Sequence, residues 1–287
     1  MQDGAKQISK GLVLAVVATF LQQNATATPT MVNLGTASGF AVLAYSEITD
    51  AGGVSTITGN VGLSPTTGAA IGLTAGQVNG MIYSVDAFGP LGAINNPGLL
   101  TTAKNDLSTA YTSAFGLTAT PLAGADNQLG GQTLLNGVYS VAGATTANLI
   151  GTLTLDAQGN SDAVFIIQAS STLITASDSS VVLIHGAQAC HVFWVVGSSA
   201  TLGTDTDFMG TIMAYASIGL NTGATLDGRA LAENAAVTLD HNTITRSVCN
   251  GSGSSVPETG STVLLLGFGL AGLVAFRQRF TFPAYTR

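Results

Sequence analysis

FWVVGSSATLGTDTDFMGTIMAYASIGLNTGATLDGRALAENAAVTLDHNT, residues 193–243, holds one phrase written three times. Phe193-Trp-Val-Val-Gly-Ser198, Ile212-Met-Ala-Tyr-Ala-Ser217 and Ala230-Leu-Ala-Glu-Asn-Ala235 begin 19 and 18 residues apart. Each gives way to Thr/Ser-rich sequence around one apolar anchor: Leu202, Leu220 and Leu239. A fourth copy, Phe165-Ile-Ile-Gln-Ala-Ser170 with anchor Leu173, lies 28 residues before Phe193, the extra length being an insertion around residues 185–191 (HGAQACH). A period near 20 with short β-prone runs broken by Gly, Asp and Asn predicts the coils of a β-solenoid. One coil cannot bury its own inner face, so the coils must stack.

The same phrase opens the chain's body. Phe40-Ala-Val-Leu-Ala-Tyr-Ser46 followed by Ile57-Thr-Gly-Asn60 mirrors Ile212 to Ser217 followed by Leu226-Asp-Gly-Arg229. The early coil is therefore expected in the same stack, making the solenoid discontinuous in sequence. Between the two lies one helix. Asn96 and Pro97 give its start, Gly116 its stop, and Leu100, Ala103, Leu107, Ala110, Tyr111 and Ala114 form one apolar stripe to lie along the solenoid. Residues 117–135, with Pro121 and several glycines, read as a cap or loop region.

Composition narrows the function. Only 8% of residues are charged and 46% are hydrophobic, against about 25% charged in ordinary domains. From 28 to 255 the basic residues are Lys104, Arg229 and Arg246, set against thirteen acidic ones. Phosphate contacts need clustered Lys and Arg, so nucleic acid is excluded as a partner and anionic membrane binding is disfavoured. The surface must be built of Thr, Ser, Asn, Gly and Ala.

Both ends carry targeting signals. Lys6 and Lys10, the apolar residues 11–21 (GLVLAVVATFL) and Ala25-Thr26-Ala27 form a signal peptide over residues 1–27, an ordinary buried helix being the other reading. The body then runs 28–250, a linker and sorting box 251–262, and an apolar tail 263–287. Val256, Pro257, Glu258, Thr259 and Gly260, with Ser261, Thr262 and the following apolar run, resemble bacterial PEP-CTERM sorting signals of the VPDSG type. LPXTG-type signals are also similar, and a plain membrane anchor is the alternative. The resemblance implies a membrane-bound sorting transpeptidase as partner. A secreted or surface-attached, monomeric protein is expected.

Separated motifs in the body resemble the microbial ice-binding family. They are Leu34-Gly35-Thr36-Ala37, Ile57-Thr-Gly-Asn-Val-Gly62 with Ser64-Pro65, Leu100-Thr-Thr-Ala103 with Tyr111, Gly137-Val138-Tyr139, Phe193 to Val196, Gly210-Thr211-Ile212 and Asp227 to Ala232. The resemblance implies a mainly β, discontinuous β-solenoid of triangular section with a flanking helix. It also implies binding to ice through a flat face, with no reaction, cofactor or metal. Threonine suits such a face because β-branching restricts χ1 while methyl and hydroxyl together order water.

Aligned on the leucine anchors, Thr175, Thr204 and Thr222 recur two residues on, with His241 interrupting, and Ser177, Thr206, Ala224 and Thr243 recur four residues on. Thr222-Gly223-Ala224-Thr225 adds a Thr-Ala/Gly-x-Thr/Asn motif of some family members. Thr175, Ser177, Thr204, Thr206, Thr222, Thr225 and Thr243 are thus the candidate face, the competing view being that Thr and Ser simply suit strands and turns.

Two other classes stand beside this. A non-catalytic surface or matrix adhesin fits the sorting tail equally. A polysaccharide-acting β-helix enzyme would need Asp205 and Asp207 to converge with Arg229 in a cleft. His185, His191 and His241 lack ligand-type spacing, and neither a nucleophile elbow nor a P-loop is present. Cys190 and Cys249 form either one disulfide or two separate buried thiols.

Overall fold

The computed structural model describes residues 29–249, apart from 53, 123–126 and 142–145. The signal peptide, sorting box and tail fall outside the described residues. Among the described residues six coils pass through three strands in a fixed order, and their strands pair in parallel from coil to coil. Three ladders enclose one core, giving a β-solenoid of triangular section.

One ladder runs Ala147–Leu149, Leu173–Thr175, Ala200–Leu202, Ile218–Leu220, Val237–Leu239, Ile48–Asp50. This is the neutral face. The chain then turns into the aspartate-bearing face, which includes Thr152–Asp156, Ser180–Ile184, the first part of Asp207–Ala214, the first part of Thr225–Ala232, Thr243–Thr245 and Thr56–Thr58. The third ladder takes Phe165–Ala169, Val192–Val196, the second parts of those two long strands, Phe40–Ala44 and Asn60–Leu63.

The early coil does join the stack, and its place is now fixed. Val42 pairs with Ala230, Ile48 with Val237 and Ile57 with Ile244. The first coil thus sits directly on the last.

Alternation in each strand follows the period of two. On the third ladder Ile167, Trp194, Ile212, Ala230, Val42 and Val61 point inward as one buried rank. The Trp194 ring packs 4.7 Å from Phe208, and its Nε1 donates to the Met209 carbonyl at 2.9 Å. The outward residues of this ladder are buried as well, because helix α1 (Pro97–Phe115) covers them. Leu100, Ala103, Leu107, Ala110 and Ala114 meet Phe40, Leu43, Phe193, Val195, Met213 and Leu231. A sheet covered on both faces reads as a continuous apolar run, and this is why FWVV and FAVLA stand out.

Helix α1 starts where expected: the Asn96 side chain accepts from the Leu99 amide at 3.0 Å, an N-cap. Its 19 residues span about 28 Å. Gly62 lets it sit close, since a Cβ there would meet Leu100 Cδ2 at 2.7 Å. Lys104 fastens one edge, donating to the carbonyls of Ala232 and Glu233 at 2.7 Å each, and Asp106 accepts from the Thr36 amide at 2.7 Å.

Two features correct the sequence alignment. Leu173 pairs with Ala200, not with Leu202, so Thr175 stands level with Leu202. Phe165 pairs with Val192 rather than Phe193. The first error lies in the anchor itself, since Phe165 to Leu173 matches Val192 to Ala200 in length and the leucine of the next coil stands two residues further on. The strands Asp207–Ala214 and Thr225–Ala232 run straight through the vertex between the aspartate-bearing and helix-covered faces, whereas lower coils insert residues there. Glycine makes the straight passage possible. Gly210 has φ +109°, and a Cβ on Gly228 would lie 1.8 Å from the Gly210 carbonyl oxygen.

Gly228→Ala is therefore expected to destabilise the protein by more than about 2 kcal/mol. Gly39→Ala, whose Cβ would meet nothing nearer than 3.9 Å, should stay within about 0.5 kcal/mol. Urea unfolding followed by circular dichroism compares the two. A second expectation concerns Lys104, whose pKa burial lowers from 10.5 to about 8, with Glu233 opposing. Between those values the unfolded chain holds a proton that the folded chain has released. Stability should thus rise from pH 7.5 to 9.5 by about 2 kcal/mol, and Lys104→Met should abolish the rise in the urea midpoint.

Candidate functional site

Among the three faces, one is closed by helix α1. The other two differ in charge. On the aspartate-bearing face the outward rank Thr152, Ser180, Asp207, Thr225, Thr243, Thr56 is interrupted by a carboxylate, and the neighbouring rank carries Asp227. The Thr225 hydroxyl is drawn onto Asp207 at 2.7 Å, so it is oriented by a charge rather than free to face outward.

The neutral face differs. Its strands are three residues long, with the middle residue outward and its neighbours inward. The outward rank reads Asn148, Ile174, Thr201, Gly219, Thr238, Thr49, each paired with the next. None is charged. Beneath it Ala147, Leu173, Ala200, Ile218, Val237 and Ile48 are at most 1% exposed, so the rank rests on a fully packed floor.

A second outward rank runs beside it: Thr146, Thr172, Ser199, Ser217 and Ala236, with Glu47 only at its end. Backbone bonds hold the level, the amides of Ala147, Leu173, Ala200, Ile218 and Val237 donating to the carbonyls of Thr172, Ser199, Ser217, Ala236 and Glu47. Its hydroxyls also link coil to coil, Thr146 to Thr172 at 2.8 Å and Ser199 to Ser217 at 3.0 Å. Parallel strands repeat every ~4.8 Å across the ladder, and same-side residues every ~6.7 Å along a strand. The result is a flat grid of hydroxyls, methyls and amides.

The vertex joining the neutral and aspartate-bearing faces is a ladder of tight turns. Asp178, Asp205, Gly223 and His241 occupy the left-handed region with φ of 56°, 54°, 76° and 56°, where Asp and His are tolerated better than most residues. The following residues turn inward: Ser179, Thr206, Ala224 and Asn242, all at most 1% exposed. They satisfy the vertex backbone, Ser179 Oγ donating to the Leu149 carbonyl and Asn242 Nδ2 to those of Asn221 and Ala224.

This geometry sorts the seven sequence candidates. Thr175 and Thr206 are inside the solenoid, 3% and 0% exposed, with their hydroxyls bonded to each other at 2.8 Å. They form no part of any external face. The two-residue misalignment at Leu173 turned Thr175 outward on paper, whereas Thr206, correctly level with Ala224, turns inward at the vertex. Ser177, Thr204 and Thr222 lie along the vertex, bordering the neutral face. The Thr222 hydroxyl donates to Asp240, which together with His241 holds that carboxyl below its ordinary pKa. Thr225 and Thr243 belong to the aspartate-bearing face.

Thr201, Thr238, Thr49, Ser199 and Ser217, which the neutral face presents, were not among those candidates. A signal was available: Thr201 sits between Ala200 and Leu202, and Thr238 between Val237 and Leu239, the apolar-Thr-apolar pattern of a half-buried strand.

The constellation needed for catalysis does not assemble. Asp205 is a turn residue, Asp207 faces outward, and Arg229 is buried on the helix-covered side, donating to the carbonyls of Ser38 and Ser247 at 3.1 Å each. His185 sits by Asp156, His241 by Asp240, and His191 is buried beside the cysteines. Cys190 and Cys249 are joined as a disulfide, with Cα atoms 5.4 Å apart.

Known proteins agree with this architecture. The family model described as Ice-binding-like matches residues 42–245, and the VPDSG-CTERM motif matches residues 255–280. An ice-binding protein of Nostoc sp. strain HG1 is 42% identical over 273 residues, covering 94% of this chain and 95% of that one. Another, of Flavobacterium frigoris strain PS1, is 41% identical over 216 residues, covering 75% and 76%. The crystal structure of an ice-binding protein from the ascomycete Antarctomyces psychrotrophicus aligns with a TM-score of 0.65 and 38% identity, over 78% of this chain and all of that chain. The chain belongs to the Ice-binding-like family.

Proposed function

We propose that this protein adsorbs to ice through the neutral face and so restrains ice growth or recrystallisation. The observation that carries the reading is the uncharged rank Asn148, Ile174, Thr201, Gly219, Thr238, Thr49, in register over six coils. Adsorption to a crystal needs water at the protein surface to take lattice-like positions. A carboxylate or ammonium imposes its own oriented hydration and works against that. Threonine methyls and the apolar side chain of Ile174 favour ordered water over them, while the hydroxyls anchor it at fixed points. Packing beneath and hydrogen bonds between coils keep those points from moving.

The relatives' names support this reading, and so does the sorting motif, which marks the chain for an extracellular or cell-surface destination. Within the proposal, residues 1–27 are removed on export, a membrane-bound transpeptidase handles the tail, and the body acts as a monomer without cofactor. Surface adhesion and ice binding are then one activity, the holding of a cell or its polymer matrix to ice.

Thr201→Tyr and Thr238→Tyr should each weaken ice recrystallisation inhibition by residues 28–255 about tenfold, equivalent to about 1.4 kcal/mol of adsorption, with unchanged circular dichroism. Thr243→Tyr, on the aspartate-bearing face, should leave it intact, and Thr222→Tyr at the vertex should fall between. The reverse ranking would move the site to the other face, and inactivity of the unsubstituted body would end the ice reading.

A further inference from the structure

The chain leaves its stack at the vertex shared by the aspartate-bearing and helix-covered faces. Strand Thr243–Thr245 hands on to residues 246–249 there, where the Arg246 amide donates to the Thr58 carbonyl at 2.8 Å. Cys249 is bonded to Cys190, in the turn Ala189–His191 that precedes the helix-face strand Val192–Val196. A triangle has three vertices, and this is the one the neutral face does not touch. Met31, Val32 and Asn33 line the same vertex beside Ser247, Val248 and Cys249. Both ends of the described body therefore arrive on the side away from the neutral face.

This exit is fastened twice. Arg229, 7% exposed, donates from Nη2 to the Ser247 carbonyl at 3.1 Å and from Nη1 to Ser247 Oγ at 3.4 Å, while its Nε reaches the Ser38 carbonyl. The disulfide adds a covalent bond across 59 residues of sequence, down to a coil three levels below the last one. Terminal segments without such ties fray readily. A pull on the chain beyond Cys249 divides there, part running back along residues 246–248 and part crossing the bridge into Cys190. The strand Thr243–Thr245 then carries only part of the peeling force, and the rest spreads through Val192–Val196, which is paired on both sides.

Resting on the ice reading above, we infer that this vertex is a mooring point: held by its C-terminal tail, the protein presents the neutral face directly outward, and the Cys190–Cys249 bridge carries part of the pull. The body stands on its own, since a solved relative is matched along its whole length by 78% of this chain.

The test couples residues 28–255 to beads in two ways, through a biotin placed after Ser255 or through maleimide-biotin on Thr201→Cys, and scores adhesion to an ice surface under flow. Beads coupled at the tail should hold and beads coupled at Thr201 should not. Reducing the bridge in place with dithiothreitol, or using Cys190→Ser/Cys249→Ser with unchanged circular dichroism, should lower the detachment shear several-fold while soluble partition into ice stays the same. Tail-coupled beads that fail to hold, although the soluble body partitions into ice, would overturn the orientation. Equal detachment shear with and without the bridge would overturn the force path. A soluble body that stays out of ice would instead sink the ice reading itself.

Discussion

Parallel, in-register stacking of coils is the constraint on which the rest of the structure depends. It sets the spacing along the axis by backbone hydrogen bonds, so no side chain has to define it. It also forces each inward position to be filled by the same kind of residue from coil to coil, as Ala147, Leu173, Ala200, Ile218, Val237 and Ile48 show. Each Leu, Ile or Val among them is worth up to roughly 1.5–3 kcal/mol when buried, but only if the coils above and below are present. A flat outer face is a by-product of this rule. When the inward ranks are level, the outward ranks are level too.

The vertices are where the rule is hardest to keep, because the backbone must turn without leaving buried polar groups unpaired. The two open solutions differ. At the neutral–aspartate vertex the chain uses left-handed residues followed by inward Ser179, Thr206 and Asn242, whose polar groups bond the nearby backbone and Thr175. At the opposite vertex the upper coils turn on bare backbone, with Gly228 against Gly210, and the lower coils spend extra residues instead. Buried hydroxyls and exposed ones therefore occur within one Thr-rich segment, and residue type alone does not separate them.

That is why the fold was largely legible and the site only partly so. The double-sided burial of FWVV and FAVLA makes a signal strong enough to survive a one-residue misalignment, and Asn96, Pro97 and Gly116 bracket helix α1 correctly. That the first coil joins the stack followed from Ile57-Thr-Gly-Asn60 matching Leu226-Asp-Gly-Arg229, whereas its place upon the last coil needed the pairing of Ile57 with Ile244 and of Ile244 with Leu226. The site needed register to within one residue, since a slip of one exchanges inside and outside. Leucine anchors do not supply it. Leu173 and Leu202 occupy different inward ranks of the same face, two residues apart. Only the pairing of Leu173 with Ala200 reveals this, because the coil from Phe165 places Thr175 where the next coil places Leu202.

Division of labour among three faces then resolves a conflict in the composition. A body carrying thirteen acidic residues against three basic ones is strongly charged for solubility, yet an ice-adsorbing surface must be free of charge. On a globular domain the two demands would compete for the same surface. Here Asp207 and Asp227 lie on one face, and Asp178 and Asp205 line a vertex where their left-handed conformation has a use, with Asp240 beside His241 at the same vertex. The helix-covered face takes the large apolar residues Phe40, Phe193 and Met213, which α1 buries. The charge is kept because the solenoid can put it somewhere else.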